Sequence, residues 1–269
     1  MRSINIIIDL DGTIYRGSQL VEHAKSFCTM LDISNIGYYF FTNCSKRTPR
    51  EVAYALKVMG LDTKEKSIIT SGCIARKYLH SMDKRMLVYV VGSDSFKDYL
   101  LTDNVELTNG KDIAADYVIV GFCTDFTYED LTHALWNIQK GAKFITTNLD
   151  KTVPIENTTI PHTGAICAFL EYASKQKPIN LGKPSRYAGD FFREAFGSDE
   201  ILVIGDSVDT DMLFANNNGF TGCLVMTGTT LQRDTGYNKF HGYNTFNNLI
   251  DLHEFIECKI QGDSKNDLY

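Results

Sequence analysis

The sequence predicts an α/β fold: a doubly wound, Rossmann-like parallel sheet with a second α/β segment inserted into the middle of the chain. Three observations predict it. Residues 4–8 form a β-branched run that ends in turn residues, as a strand buried on both faces does. A strand and helix alternation occupies the N-terminal part of the chain and returns near its end, which favours parallel strands with helices on both faces. Between these halves lies a stretch long enough, and patterned enough, to be a domain of its own.

At the N-terminus, the strand at 4–8 is followed by a helical pattern over 21–31 and a second apolar strand over 36–41. Pro49 then opens a helix that runs to Met59 and is closed by Gly60. Near the C-terminus, 201–204 reads as a strand, 211–218 as a helix closed by Gly219, and 222–226 as another strand. The middle carries strands at 86–91, 117–120 and 143–146, and helices near 95–101, 128–140 and 164–175. The expected boundaries are 1–76 plus 180–269 for the core and 77–179 for the insert. Residues 262–269 are polar and expected to fray.

Composition narrows the function classes. The 269 residues are 43% hydrophobic with a formal net charge of -6. That balance argues against a nucleic-acid or anionic-membrane surface, which needs clustered Lys and Arg. A small phosphate ester remains compatible, because a local site can oppose the global charge. The seven cysteines are scattered without a Cys-x-x-Cys pair and read as reduced thiols. Asn5 and Asp9 interrupt the apolar N-terminal run, so it reads as neither signal peptide nor membrane span, and the cytoplasm is the expected location.

Asp9-Leu10-Asp11-Gly12-Thr13 places two acids just past the first strand, where residues two apart point the same way. Two carboxylates in one small space favour a bound cation or a shared proton. Gly12 lets the backbone turn sharply and approach a ligand. Thr42 and Asn43 close the second strand with a hydroxyl and an amide, both able to donate to phosphate oxygens, although Thr and Asn also favour a plain capped turn there. Lys183, taken alone, reads as a surface cation. Asp206 and Asp211 follow a buried strand and open a helix.

These segments resemble, in order, the four motifs of the haloacid dehalogenase superfamily. They are Asp9-Leu10-Asp11-Gly12-Thr13, then Phe40-Phe41-Thr42-Asn43, then Gly182-Lys183-Pro184, and then Gly205-Asp206 through Thr210-Asp211. The continuation Cys44-Ser45-Lys46-Arg47-Thr48-Pro49 is similar to the NagD-like subgroup. The resemblance implies a Mg²⁺-dependent phosphatase in which Asp9 attacks phosphorus, Asp11 serves as acid and then base, and Lys183 neutralises charge. It gives Gly12, Thr42 and Asn43 to the phosphate. It gives the metal to the carboxylates of Asp9 and Asp206 and the backbone carbonyl of Asp11, with Asp211 at the edge of the site.

It also makes the insert a cap that sets specificity for a small phosphorylated metabolite, such as a sugar phosphate or nucleotide. Thr146-Thr147-Asn148-Leu149-Asp150 resembles the family's Thr-Asn-x-Asp segment. Residues 160–165 hold the place of its Pro-Gly-x-Gly-Ala loop, with His162 and Thr163 departing from the usual small residues. Asn148, Asp150 and His162 are the candidate substrate contacts, and Tyr15 and Arg16 candidate parts of a flap. A homodimer through the cap is a candidate assembly. Dehalogenase or phosphotransferase chemistry on the same core and a non-catalytic phosphometabolite-binding regulator are the alternatives. Asp11 weighs against a dehalogenase, and the full set of Asp9, Asp11, Lys183 and Asp206 weighs against a regulator.

Overall fold

A computed structural model of the protein describes residues 4–82, 84–155, 158–197, 200–228 and 242–261. The expected frayed end, 262–269, lies outside the described residues. Along the chain the elements are β1 (Ile4–Ile8), β2 (Tyr15–Arg16), β3 (Gln19–Leu20), α1 (Ala24–Ile33), β4 (Gly37–Thr42), α2 (Pro49–Val58), β5 (Ile68–Thr70) and α3 (Ser71–His80). There follow β6 (Met86–Val91), α4 (Asp94–Leu100), β7 (Val105–Leu107), β8 (Tyr117–Val120), α5 (Tyr128–Gln139), β9 (Lys143–Thr146), β10 (Thr152–Ile155), β11 (Thr158–Pro161) and α6 (Thr163–Ser174). The last part holds β12 (Ile179–Asn180), α7 (Arg186–Phe196), β13 (Glu200–Gly205), α8 (Leu213–Asn218), β14 (Thr221–Val225), β15 (Tyr243–Phe246) and α9 (Leu249–Gln261).

The chain divides into two compact units, Met1–Thr42 with Ala53–Ile68 and Gly189–Tyr269, and Asn43–Val52 with Ile69–Ala188. The first is built on a sheet of order β15-β14-β13-β1-β4-β5. β1 lies between β13 and β4, parallel to both, with Ile8 opposite Ile204 and Phe40. Ile6, Ile7 and Ile8 are all buried, as the continuous apolar run predicts for a strand covered on both faces. Aromatic rings fill one side: Phe192 of α7 lies 5.0 Å from Phe41, which lies 5.7 Å from Phe214 of α8.

In the second unit a parallel sheet runs β12-β9-β8-β6-β7. Leu131, Ala134 and Ile138 of α5 and Ile166, Cys167 and Leu170 of α6 pack with Val91, Val118, Val120 and Phe144 of the sheet. Fully buried Asn137 is satisfied within that core: Ala115 donates to its Oδ1, and its Nδ2 donates to the carbonyls of Gly110 and His133.

Two differences from the sequence reading have local causes. The first helix begins at Ala24, three residues later than expected, because His23 before it has φ 65 and cannot be helical. Instead of a plain α-helix from Asp211, residues Val208–Met212 form a wide π turn that leads into α8. The Asp211 and Met212 N–H groups both donate to the Ser207 carbonyl there.

Candidate active site

The central position of β1 decides what comes together. Asp9 emerges directly after Ile8, with its N–H bonded to the Ile204 carbonyl at 2.8 Å, and Asp206 emerges just beyond the end of the neighbouring β13. Thr42 ends β4 on the other side of β1. This is the carboxyl edge of a parallel sheet where the chain winds away in two directions, the usual place for a ligand in such folds.

Asp9, Asp206 and Asp211 are buried, and each offers a carboxylate oxygen within 4.8 Å of the others. The Thr13 hydroxyl lies 3.3 Å from Asp9 Oδ2 and 3.4 Å from Asp206 Oδ1, and shares its one proton between them. The π turn folds Asp211 back so that its Oδ2 accepts the Ser207 N–H at 3.2 Å. Three carboxylates gathered out of water repel one another, and oxygen donors suit a hard cation. The set therefore fits Mg²⁺.

Three glycines make room for this cluster. A Cβ on Gly12 would lie 2.5 Å from Asp206 Oδ2, and Gly12 has φ +90. A Cβ on Gly205 would collide with the Asp211 carboxylate, and one on Gly228 with that of Asp206. Thr227 donates its hydroxyl to the Gly12 carbonyl at 2.8 Å, and Arg16 Nη2 donates to the Gly228 carbonyl at 3.1 Å. The turn after β1 and the segment after β14 are thus tied together beside Asp206.

The Asp11 side chain takes a different course. It is exposed, and its Oδ2 accepts the Tyr15 hydroxyl at 2.9 Å. The N–H groups of Thr13, Ile14 and Tyr15 converge on the Leu10 carbonyl, and the Gly12 N–H donates to the Tyr15 carbonyl.

Within the second unit the remaining candidates form one network, in which Asn43, Asn148, His162 and Lys183 are buried and Asp150 is half-buried. Asn43 Nδ2 lies 3.3 and 3.2 Å from the two Asp150 oxygens and 3.2 Å from the Lys183 carbonyl, while its Oδ1 accepts the Lys183 N–H at 2.8 Å. Asn148 Nδ2 donates to the Asn43 carbonyl at 2.8 Å, and its Oδ1 accepts the Asp150 N–H and lies 3.0 Å from His162 Nδ1. Gly182 fits here because a Cβ would collide with the Thr147 carbonyl and Asn43 Oδ1. The His162 ring stacks on Phe122 at 4.2 Å, and burial pushes its pKa down to about 4.

Sequence reasoning did not single out Thr13, Gly228 or Phe122. Thr13 stood inside a recognised motif, yet its bridging hydroxyl depends on Asp206, 193 residues away. Gly228 and Phe122 carry no local signal.

Comparison with known proteins agrees with this architecture. The haloacid dehalogenase-like hydrolase family matches residues 6–106, and a second HAD-hydrolase-like family matches residues 180–252. An acid sugar phosphatase of Staphylococcus saprophyticus is 30% identical over 253 residues, 93% of this chain and 97% of its own. The crystal structure of a 4-nitrophenylphosphatase from Thermotoga maritima superposes with a TM-score of 0.85 at 28% identity, covering 93% of this chain and 96% of that one. A glycerol phosphate phosphatase from Mycobacterium tuberculosis, solved in complex with magnesium, gives a TM-score of 0.85 at 26% identity, covering 93% and 76%. The chain belongs to the haloacid dehalogenase-like hydrolases, in their NagD-like phosphatase branch.

Proposed function

We propose that the protein hydrolyses a small phosphate monoester, a sugar phosphate or similar metabolite, through a phospho-aspartate on Asp9. The observation that carries this reading is the buried triad of Asp9, Asp206 and Asp211 at the carboxyl edge of the sheet. Relatives named for acid sugar phosphatase, 4-nitrophenylphosphatase and glycerol phosphate phosphatase activity support the substrate class.

In the first displacement an Asp9 oxygen forms the new P–O bond while the bond to the leaving oxygen breaks, and Asp11 passes that oxygen its proton. In the second, Asp11 takes a proton from water as the water attacks phosphorus, and the carboxylate of Asp9 is regenerated. Thr13 keeps the Asp9 carboxylate in place through its hydroxyl. Mg²⁺, held by the carboxylates of Asp9, Asp206 and Asp211 and the backbone carbonyl of Asp11, would neutralise charge on Asp9 and the transferring phosphoryl group. We assign Lys183 to the same electrostatic task and the Thr42 hydroxyl to a phosphate oxygen. Asn43 acts through its grip on the Lys183 peptide, with Asp150, Asn148 and His162 behind it. Seven free thiols suit a reducing, cytoplasmic setting. Exposed Tyr172 and Phe169 on α6 suit a homodimer through the second unit.

The test is inorganic phosphate release from sugar phosphates, glycerol phosphate, nucleoside monophosphates and p-nitrophenyl phosphate, with Mg²⁺ or EDTA and with Asp9→Asn. Release that requires both the metal and Asp9 is expected. Folded, Mg²⁺-supplied protein that releases phosphate from none of them would overturn the reading.

A further inference from the structure

We propose that Thr227 and Arg16 are positioning residues whose hydrogen bonds close a slot around the Asp206 carboxylate, and that this slot sets the preference of the metal site for Mg²⁺ over Ca²⁺. The inference rests on the reading of Asp9, Asp206 and Asp211 as metal ligands.

Strand order explains why the slot needs closing. β13 separates β14 from β1, so the ladder of the sheet does not join the turn after β1 to the segment after β14. That segment follows its outer neighbour instead, with the Met226 N–H donating to the Phe246 carbonyl at the end of β15 at 3.0 Å. Asp206, just beyond the end of β13, lies where the two segments meet. Gly12 approaches it from the side of β1 and Gly228 from the side of β14. Each comes so close that a Cβ would overlap the carboxylate.

Two side chains tie these segments together, and they do so reciprocally. Thr227, from the later segment, donates its hydroxyl to the Gly12 carbonyl at 2.8 Å. Arg16, from the earlier one, donates Nη2 to the Gly228 carbonyl at 3.1 Å. Each glycine that walls the slot thus has its own carbonyl held from the opposite segment. The Thr227 bond also bears on a second ligand. The carbonyl it holds belongs to the peptide unit that continues into Thr13, whose N–H donates to the Leu10 carbonyl at 3.2 Å. The Thr13 hydroxyl in turn lies 3.3 Å from Asp9 Oδ2 and 3.4 Å from Asp206 Oδ1.

Rigidity is what separates the two ions. Mg²⁺ demands near-ideal octahedral geometry with oxygens at ~2.0–2.1 Å, whereas Ca²⁺ accepts about six to eight oxygens at ~2.3–2.6 Å in flexible arrangements. A carboxylate held in place by backbone on two sides therefore favours the smaller ion. Once it can drift, Mg²⁺ loses more than Ca²⁺ does.

The test is isothermal titration calorimetry of the metal-free protein with MgCl₂ and, separately, CaCl₂. It compares the parent, Thr227→Val, Thr227→Ser and Arg16→Met, with circular dichroism to show that each is folded. Thr227→Val keeps the shape of the side chain and loses the donor. It is expected to raise the Mg²⁺ dissociation constant ~10-fold and the Ca²⁺ constant less than ~3-fold. Thr227→Ser retains the hydroxyl and is expected to stay within ~2-fold of the parent for both ions. Arg16→Met changes an exposed side chain and should raise the Mg²⁺ constant ~3-fold with the same selectivity. Should Thr227→Val not fold, Arg16→Met carries the test. Equal weakening of both ions would mean a general loosening and overturn the proposal. Unchanged constants in Thr227→Val and Arg16→Met, or a Thr227→Ser that behaves like Thr227→Val, would overturn it too. A parent that binds no Mg²⁺ would instead overturn the ligand set itself, and the proposal with it.

Discussion

His162 Nδ1 lies 3.0 Å from Asn148 Oδ1, an oxygen that also accepts the Asp150 N–H. An amide oxygen cannot donate, so Nδ1 carries the proton and the neutral ring keeps its lone pair on Nε2. The other end of the same amide donates to the Asn43 carbonyl, which fixes the amide's orientation. His162, a candidate substrate contact by sequence, is buried and joined through Asn148 to the network of Asn43, Asp150 and Lys183.

That arrangement has a pH consequence. The His162 pKa is lowered from 6.5 to about 4 by burial. Between those values the unfolded chain binds a proton that the folded chain does not, so stability from neutral His162 is complete above 6.5 and is lost as pH falls toward 4. Urea midpoints measured from pH 7 down to pH 4 should fall, and His162→Gln should flatten the slope by at most ~1.4 kcal/mol per pH unit. An identical slope in the variant would refute the assignment.

Asn43 faces both oxygens of Asp150 with its amide donor. Asn43→Asp replaces that donor with a second carboxylate, whose repulsion should displace the Lys183 peptide. The expected result is a kcat lower by ~10–100-fold at nearly unchanged KM. Adding Asp150→Asn restores a donor across the pair, so the double variant should recover part of the loss in a mutant cycle. Strict additivity would count against the coupling.

Gly228 has no room for a side chain beside the Asp206 carboxylate. Gly228→Ala should push Asp206 out of register with Asp9 and Asp211 and raise the Mg²⁺ concentration for half-maximal activity ~10-fold, as changes just behind a metal ligand do. A magnesium titration of phosphate release checks it; an unchanged midpoint would mean that the segment yields instead.

Three buried carboxylates repel one another less when a cation binds between them. Mg²⁺ at ~100 times its dissociation constant should stabilise the folded state by ~2.7 kcal/mol, raising Tm by roughly 5 °C or more. Calorimetry with Mg²⁺ against EDTA measures the shift, and Asp206→Asn should reduce it. A Tm indifferent to Mg²⁺ would contradict the proposed ligand set.

The sequence by itself determined the fold class and the place of the chemistry. Buried parallel strands are long apolar runs, and residues 4–8, 86–91, 117–120, 143–146 and 201–204 show them plainly. Acids directly beyond such runs must lie at the sheet's carboxyl edge, so Asp9 and Asp206 were legible as site residues. Short or irregular elements were not: β2 and β3 span two residues each, too few for any period to register. The amphipathic α7 and the C-terminal α9 passed unmarked, although both are helices of ordinary length.

Only the tertiary structure decided which groups each site residue meets. The Asp9, Asp206 and Asp211 cluster depends on the register of β1 against β13, and the Asn43 network joins partners 107 and 140 residues apart. A residue's neighbours in sequence set its backbone preference, but a hydrogen bond or a steric limit between distant residues exists only once strand order and register bring them together. That is why Gly228 reads as an ordinary turn glycine and His162 as a loop histidine until the fold places one against Asp206 and the other beneath Asn148.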